Sequence, residues 1–482
     1  MNISNSYLKL PEEFYEKRDP TPVSSPSIIV LNQELAKDLK IKLDERECVD
    51  FFSGNKLPSG SEPIALCYAG HQFGNFVPQL GDGRAILLGE ITANNVNYDI
   101  QLKGSGITKF SRQGDGRSAL RPVLREYIIS EAMHTLGIPT TRALAAVSTG
   151  DEVIREKLEP GGILTRIAKS HLRVGTFEYF ASRQDWKNLK ILADYAINRH
   201  YPDCNGTNNP YLSLLEQVAE KQSKLIAKWM SIGFIHGVMN TDNTSISGET
   251  IDYGPCAFLD EYDPGKVFSS IDHGGRYAFG NQPSIASWNI ASLAGCLISL
   301  INQDTKIANN LASEVLEKFS ISTNQYIYDE MCKKLGLNSE MKKNQELTRD
   351  LLKIMNKENI DYTLSFRFLS DHLRNPDGSE LNRLFGNRTE IDEWIDKWKN
   401  ILKKDSISLE KTSDLMDSIN PIYIPRNHNI ERALNMANEG DLSEFYLLNE
   451  VLKNPFLDKD EYKRFQAPPQ ESERVLQTFC GT

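Results

Sequence analysis

The chain has 482 residues, with 55 Lys+Arg against 65 Asp+Glu, a formal net charge of −10, and 40% hydrophobic and 25% charged residues. That balance belongs to folded globular proteins, and the length suits two to four domains or one large bilobed one. Net acidity disfavours sequence-independent nucleic-acid binding, which needs a basic face, but leaves room for a local pocket that takes phosphates. The longest nearly apolar run, 290–301, is shorter than the about 20 residues of a membrane span. The N-terminus shows neither an apolar signal core nor an Arg-rich transit pattern, so the expectation is a protein of a prokaryotic cytoplasm, with no membrane or nucleic-acid partner. Seven scattered cysteines without C-x-x-C, and eight histidines without H-E-x-x-H, disfavour a disulfide framework and a zinc site.

Residues 1–60 read as an irregular N-terminal extension, with prolines at 11, 20, 22, 26 and 58. From 61 to 185, short apolar strands alternate with Gly-rich turns. Ala85 to Ile91 forms one strand. In the next, Val96, Tyr98, Ile100 and Leu102 alternate with Asn97, Asp99, Gln101 and Lys103, the period of two of a strand. The spacing then predicts a helix from Pro122 to about Leu136, with Leu124, Ile128, Ala132 and Leu136 on one face and Gly137 as its stop. Residues 186–470 are mostly helical in pattern, including an amphipathic stripe from Leu214 to Met230 that ends near Gly233, and 471–482 form a tail. The expected class is α+β, with a sheet-rich N-terminal lobe and a larger helical C-terminal lobe with extensions.

Gly81-Asp82-Gly83-Arg84 follows a Gly-containing aromatic stretch, 68–75, and precedes a strand. Its glycines let backbone N–H groups approach a phosphate or a base, or simply make a hairpin turn. Gly114-Asp115-Gly116-Arg117 repeats the pattern, and neither copy is a Rossmann or P-loop motif. Lys103 ends a strand, and Glu126 lies inside the following helix. A strand Lys paired with a helix Glu is the positioning device of protein kinases; a solvated Lys and a surface Glu are the alternative. Arg166, Lys169 and Arg173 form a basic cluster suited to phosphate oxygens, or a charged surface run. The most informative stretch is 236–243 followed by Ile251-Asp252-Tyr253-Gly254. Asn243 and Asp252 are oxygen ligands of the kind Mg²⁺ takes, and an Asn followed by Asp-aromatic-Gly has the form of the metal-binding half of a protein kinase. There is no H-R-D, because His236 is followed by Gly237-Val238. Asp242 is the available substitute for the missing base.

These motifs resemble the selenoprotein O family, kinase-fold proteins once called pseudokinases and now regarded as protein adenylyltransferases. The resemblance rests on 68–74, 79–84, 102–106, 113–117, 236–243, 252–255, Asn420-Pro421 and 425–428, and so spans nearly the whole chain. It implies a protein-kinase-like bilobed fold and ATP bound in a flipped orientation, with its γ-phosphate inward. In that reading Gly81, Gly83, Arg84, Asp115 and Gly116 line the nucleotide site, Lys103 meets phosphates, and Arg166 and Arg173 hold the buried ones. Glu126 anchors Lys103, Asn243 and Asp252 bind Mg²⁺, with Mn²⁺ as second candidate, and Asp242 accepts the proton. The implied activity is transfer of AMP from ATP to Ser, Thr or Tyr hydroxyls of proteins, releasing pyrophosphate. UMP transfer, kinase-type phosphotransfer and non-catalytic nucleotide binding are the alternatives. Cys480 stands where family members carry Cys or selenocysteine. The resemblance implies a reversible disulfide between tail and activation segment, but 259–280 holds no Cys, which leaves Cys256 as the nearest partner.

Overall fold

The computed structural model describes residues 1, 3–377, 380–386, 389–404 and 408–479. Its organising element is an antiparallel sheet. The strands are β1 (Tyr15–Lys17), β2 (Ser27–Leu31), β3 (Ile64–Leu66), β6 (Ala85–Ala93), β7 (Val96–Lys103), β8 (Ser118–Ala119), β9 (Arg142–Ile154) and β10 (Leu158–Ala168), in the order β1-β3-β6-β7-β10-β9-β2, with β8 on β10. A separate hairpin, β4 (Gly70–Gln72) and β5 (Asn75–Val77), stands off the sheet.

The first 60 residues, expected to be irregular, supply both outermost strands of the sheet, together with α1 (Gln33–Asp38) and α2 (Glu45–Phe52). The prolines fall between these elements, and strands of three and five residues are too short to display a period. Both faces of the sheet are covered. Ile100, Leu102, Ile163 and Ile167 pack with Leu35, Ala36 and Phe52 of α1 and α2. The other face meets α3 (Leu120–Thr135). The polar alternation of β7 therefore faces solvent only at Asn97: Asp99 and Gln101 are buried and Lys103 is half-buried. The helix expected from Pro122 starts two residues earlier and ends beside Gly137 (φ 75). It is buried on nearly every face, because β9 and β10 flank one side and two C-terminal helices the other.

The remaining chain is largely helical. α4 (Val174–Ala181), α5 (Trp186–His200), α6 (Pro210–Ser231), α7 (Gln282–Ile301) and α8 (Thr305–Lys334) come first. α9 (Lys342–Glu358), α10 (Tyr362–Arg374), α11 (Glu380–Phe385), α12 (Thr389–Leu402) and α13 (Leu409–Asp417) build a second core around Trp394, Trp398 and Phe366. α14 (Asn427–Asn438) and α15 (Ser443–Leu452) return to α3. Between α6 and α7, β11 (Phe234–Ile235) and β12 (Ala257–Phe258) pair and bracket the loop that holds Asp242, Asn243 and Asp252. By length and composition alone the helix Phe279–Ile301 would suffice to cross a membrane. It is packed against α4, α6 and α8, and its buried Gln282 and Asn289 hydrogen-bond to Phe234 O and Met239 O.

Candidate active site

A cleft of about 1370 Å³ lies between the sheet and the helical part. Residues of β6, β7, β10, α3, the β11–β12 loop and α14 line it, and Val475, Gln477, Thr478 and Phe479 of the tail border it. Lys103 at the end of β7 and Glu126 on α3 meet there, with Nζ 2.6 Å from Oε2. The same Nζ lies 2.7 Å from Asp252 Oδ1. Arg166 on β10 reaches Asp252 Oδ1 at 2.7 Å and Glu126 Oε1 at 3.3 Å, and Arg173 reaches Asp252 Oδ2 at 3.1 Å. Three cations thus converge on one carboxylate. Burial opposes its charge, but Lys103, Arg166 and Arg173 more than offset this and hold it well below the usual carboxylate range. Asp252 has φ 64, a left-handed conformation that Asp tolerates better than most residues.

The two arginines are held from behind by side chains absent from the sequence-derived set. Gln101 Oε1 accepts from Arg166 Nε at 3.2 Å and Nη2 at 2.6 Å, and its Nε2 donates to Asp82 Oδ2 at 3.0 Å. Asp82, buried inside the first Gly-Asp-Gly-Arg, faces Arg173 at 3.8 Å, and the Tyr68 ring lies under the Arg173 guanidinium at 4.4 Å. Gln101 sits two residues before Lys103 on the same strand face, a signal that period-two reading contained. Asp82 carried no such signal, since a Gly-flanked Asp reads as a turn.

Asp242 and Asn243 occupy a 3-10 turn, Thr241–Asn243, across the cleft. Asp242 is 7% exposed; burial pushes its carboxyl up to about 7, against the pull of Arg173. Arg173 Nη1 donates to the Asp242 carbonyl at 2.8 Å. Asn243 Nδ2 donates to Val238 O at 3.0 Å, so its Oδ1 is the atom left to accept. Among the described residues no group of three or more His, Cys, Asp or Glu could hold a metal. Mg²⁺ does not need one, because it takes one or two protein oxygens and completes its shell with phosphates and water. Asn243 and Asp252 both line the cleft, and in this structure the Asp252 oxygens meet Lys103, Arg166 and Arg173.

The glycines of both motifs also make room for neighbouring chain. A Cβ at Gly81 would lie 2.4 Å from Phe110 Cγ, and one at Gly83 2.8 Å from Phe110 O. Both glycines admit the loop that carries Phe110, and residues 80–82 run back along 66–68 instead of turning a hairpin. Gly116 (φ 69) is pressed on Gly106, where a Cβ would lie 2.2 Å from the carbonyl. Asp115 pairs with Arg155 at 2.9 Å at the tip of the β9–β10 hairpin. Gly81, Gly83, Arg84, Asp115 and Gly116 all line the cleft. Cys256 is buried, and its neighbour Pro255 accepts a hydrogen bond from Thr478 Oγ1 at 2.5 Å. Cys480 lies outside the described residues.

The family profile described as "Protein adenylyltransferase SelO" matches residues 1–453. "Protein nucleotidyltransferase YdiU" of Maridesulfovibrio salexigens is 54% identical over 486 aligned positions, covering 100% of this chain and 98% of the relative. The proteins of the same name from Rhodopseudomonas palustris and Agrobacterium fabrum are each 52% identical, over 100% of this chain and 99% and 100% of theirs. With the match running through every strand and turn of the cleft, the chain belongs to the SelO family of protein adenylyltransferases.

Proposed function

We propose that this chain has a protein-kinase-like fold and transfers AMP from ATP to Ser, Thr or Tyr hydroxyls of proteins in a bacterial cytoplasm. The observation that carries the reading is the convergence of Lys103, Arg166 and Arg173 on Asp252, with Glu126 behind them. One strand lysine suffices to position phosphates in a kinase; two further buried guanidiniums suit a triphosphate whose outer end is buried and must be neutralised. Here Arg166 and Arg173 hold the β- and γ-phosphates, and Lys103, oriented by Glu126, meets the chain nearer the α-phosphate. Gly81, Gly83, Arg84, Asp115 and Gly116 line the nucleotide site.

The acceptor oxygen attacks the α-phosphorus, a new P–O bond forms, the bond to the β-phosphate oxygen breaks, and pyrophosphate leaves. Asp242 takes the hydroxyl proton. The three cations stabilise charge on the leaving pyrophosphate, and positioning supplies most of the rate. Asn243 and Asp252 would hold Mg²⁺, or Mn²⁺, which when bound neutralises phosphate charge. The relatives' name specifies a nucleotidyltransferase without naming the base, which keeps UMP transfer as the second reading.

Two labels decide the reaction class. Incubation with bacterial extract should move label from [α-³²P]ATP onto protein and none from [γ-³²P]ATP. Label from the γ position alone would make the protein a kinase. Preference for labelled UTP over ATP would support the second reading.

A further inference from the structure

The β4–β5 hairpin plays no part in the mechanism above, yet it is stitched to the turn carrying Asp242 at three successive residues. His71 N donates to Thr241 Oγ1 at 2.7 Å, Gln72 Nε2 to Asp242 Oδ2 at 3.5 Å, and Phe73 N to Asn240 Oδ1 at 3.1 Å. Beneath this seam Thr241 Oγ1 donates to Glu178 Oε2 at 2.6 Å, and Glu178 Oε1 lies 2.7 Å from His71 Nδ1. The Tyr277 hydroxyl donates to Asn240 Oδ1 at 2.6 Å and accepts from Phe73 N at 3.1 Å.

The hairpin begins at Gly70, where a Cβ would lie 2.5 Å from Asp242 Oδ1 and 2.9 Å from its Cβ and Cγ. The Gly70 backbone is outside the left-handed region, so the restriction on this position is steric and comes from the Asp242 side chain. Gly175 on α4 is packed just as closely, with a Cβ there 2.1 Å from Ala69 O and 3.3 Å from Asp242 Cα. Asp242 Oδ1, packed on Gly70, is shut off from solvent and has no hydrogen-bond partner among the described residues. The oxygen left to meet an acceptor is Oδ2, the one Gln72 holds, and Gln72 itself lines the cleft.

We infer that the β4–β5 hairpin is a fixed roof for the proton acceptor, and that Gln72 is a positioning residue that aims Asp242 Oδ2 at the incoming hydroxyl. Gly70 is the steric condition for that arrangement. The inference rests on the reading of Asp242 as the proton acceptor. Packing on Gly70 fixes Oδ1 but gives Oδ2 no hydrogen bond, so loss of the Gln72 amide removes the contact that orients Oδ2, and misplacement by about 1 Å costs roughly 100-fold in rate.

The test is a double-mutant cycle on the full-length protein, with Gln72→Leu, Asp242→Asn, their combination, and Gly70→Ala. It reads α-label transfer at saturating ATP, nucleotide affinity by calorimetry and melting temperature. Gln72→Leu should lower kcat roughly 10–100-fold while nucleotide affinity and melting temperature hold. In the Asp242→Asn background the same change should alter transfer by no more than about twofold. Gly70→Ala should lower transfer about as far as Asp242→Asn and leave nucleotide binding intact. Equal losses from Gln72→Leu in both backgrounds, a lowered melting temperature with parental kcat, or full activity in Gly70→Ala would each overturn the inference. Parental activity in Asp242→Asn would instead remove the reading beneath it.

Discussion

The Asp252 carboxylate is the shared partner of Lys103, Arg166 and Arg173, so its loss has two separable consequences. Asp252→Ala leaves three cations short of an anion in a largely buried setting, and breaking such a cluster costs about 3–5 kcal/mol. Urea unfolding of the nucleotide-free protein should show that loss, and Mg²⁺-dependent nucleotide binding should disappear with it. Asp242→Asn leaves the cluster untouched; it should retain nucleotide binding and lose turnover by roughly 10²–10⁴. Calorimetry beside label transfer separates the two roles, and equal loss of binding in both variants would refute the division. A third residue gives a pH signature. His200 closes α5, with Nε2 2.7 Å from Ser170 Oγ; burial, then Arg199 and Lys221, push it down to about 3. The unfolded chain protonates this imidazole near pH 6.5, so below that value protons favour unfolding. His200→Gln removes the penalty. Its stability relative to the parent should rise by about 1.4 kcal/mol per pH unit between pH 6 and 4, and a flat difference would show that His200 is protonated in the fold.

At the scale of elements, α3 does more than carry Glu126. Its Arg125 donates to Gly254 O at 3.3 Å and Cys256 O at 2.7 Å, while Thr478 Oγ1 takes the carbonyl between them, so three consecutive carbonyls after Tyr253 are bound by side chains. Arg125→Met should raise amide exchange across 252–258 and weaken Mg²⁺-dependent nucleotide binding, with the β6–β7 hairpin unchanged. Unaltered exchange at 252–258 would show that the segment holds itself. β6, β7, α3 and α6 were legible in the sequence because each is long enough to repeat its period several times. β1, β4 and β5 were not, since three residues cannot display one. The same limit governs the site. Lys103, Glu126, Asn243 and Asp252 announce themselves by residue type and local context. Gly70 and Gln72 acquire meaning only from Asp242, 170 positions beyond Gln72, and no local pattern encodes that contact.

At the scale of the molecule, residues 420–428 tie the larger core to the second, helical one. Arg426, 1% exposed, bridges Asp260 at 2.5 Å and Asp361 at 2.8 Å, joining the segment after β12, the start of α10 and the start of α14. Asn420 Nδ2 adds a bond to Lys334 O at 2.8 Å. The sheet depends on a longer tie. Its two outermost strands, β1 and β2, both come from residues 15–31, and β2 pairs with 145–148. During synthesis β2 therefore emerges about 115–120 residues ahead of its partner, a wait on the order of ten seconds at ordinary elongation rates. The β9 margin stays open until that early segment swings back to cover it, and an uncovered margin of backbone donors and acceptors is a template for other chains. Deletion of residues 1–31 would bare both margins at once. The expected result is concentration-dependent self-association by light scattering where the full chain stays dispersed, and a dispersed, fully active truncation would show that the first 31 residues guard nothing.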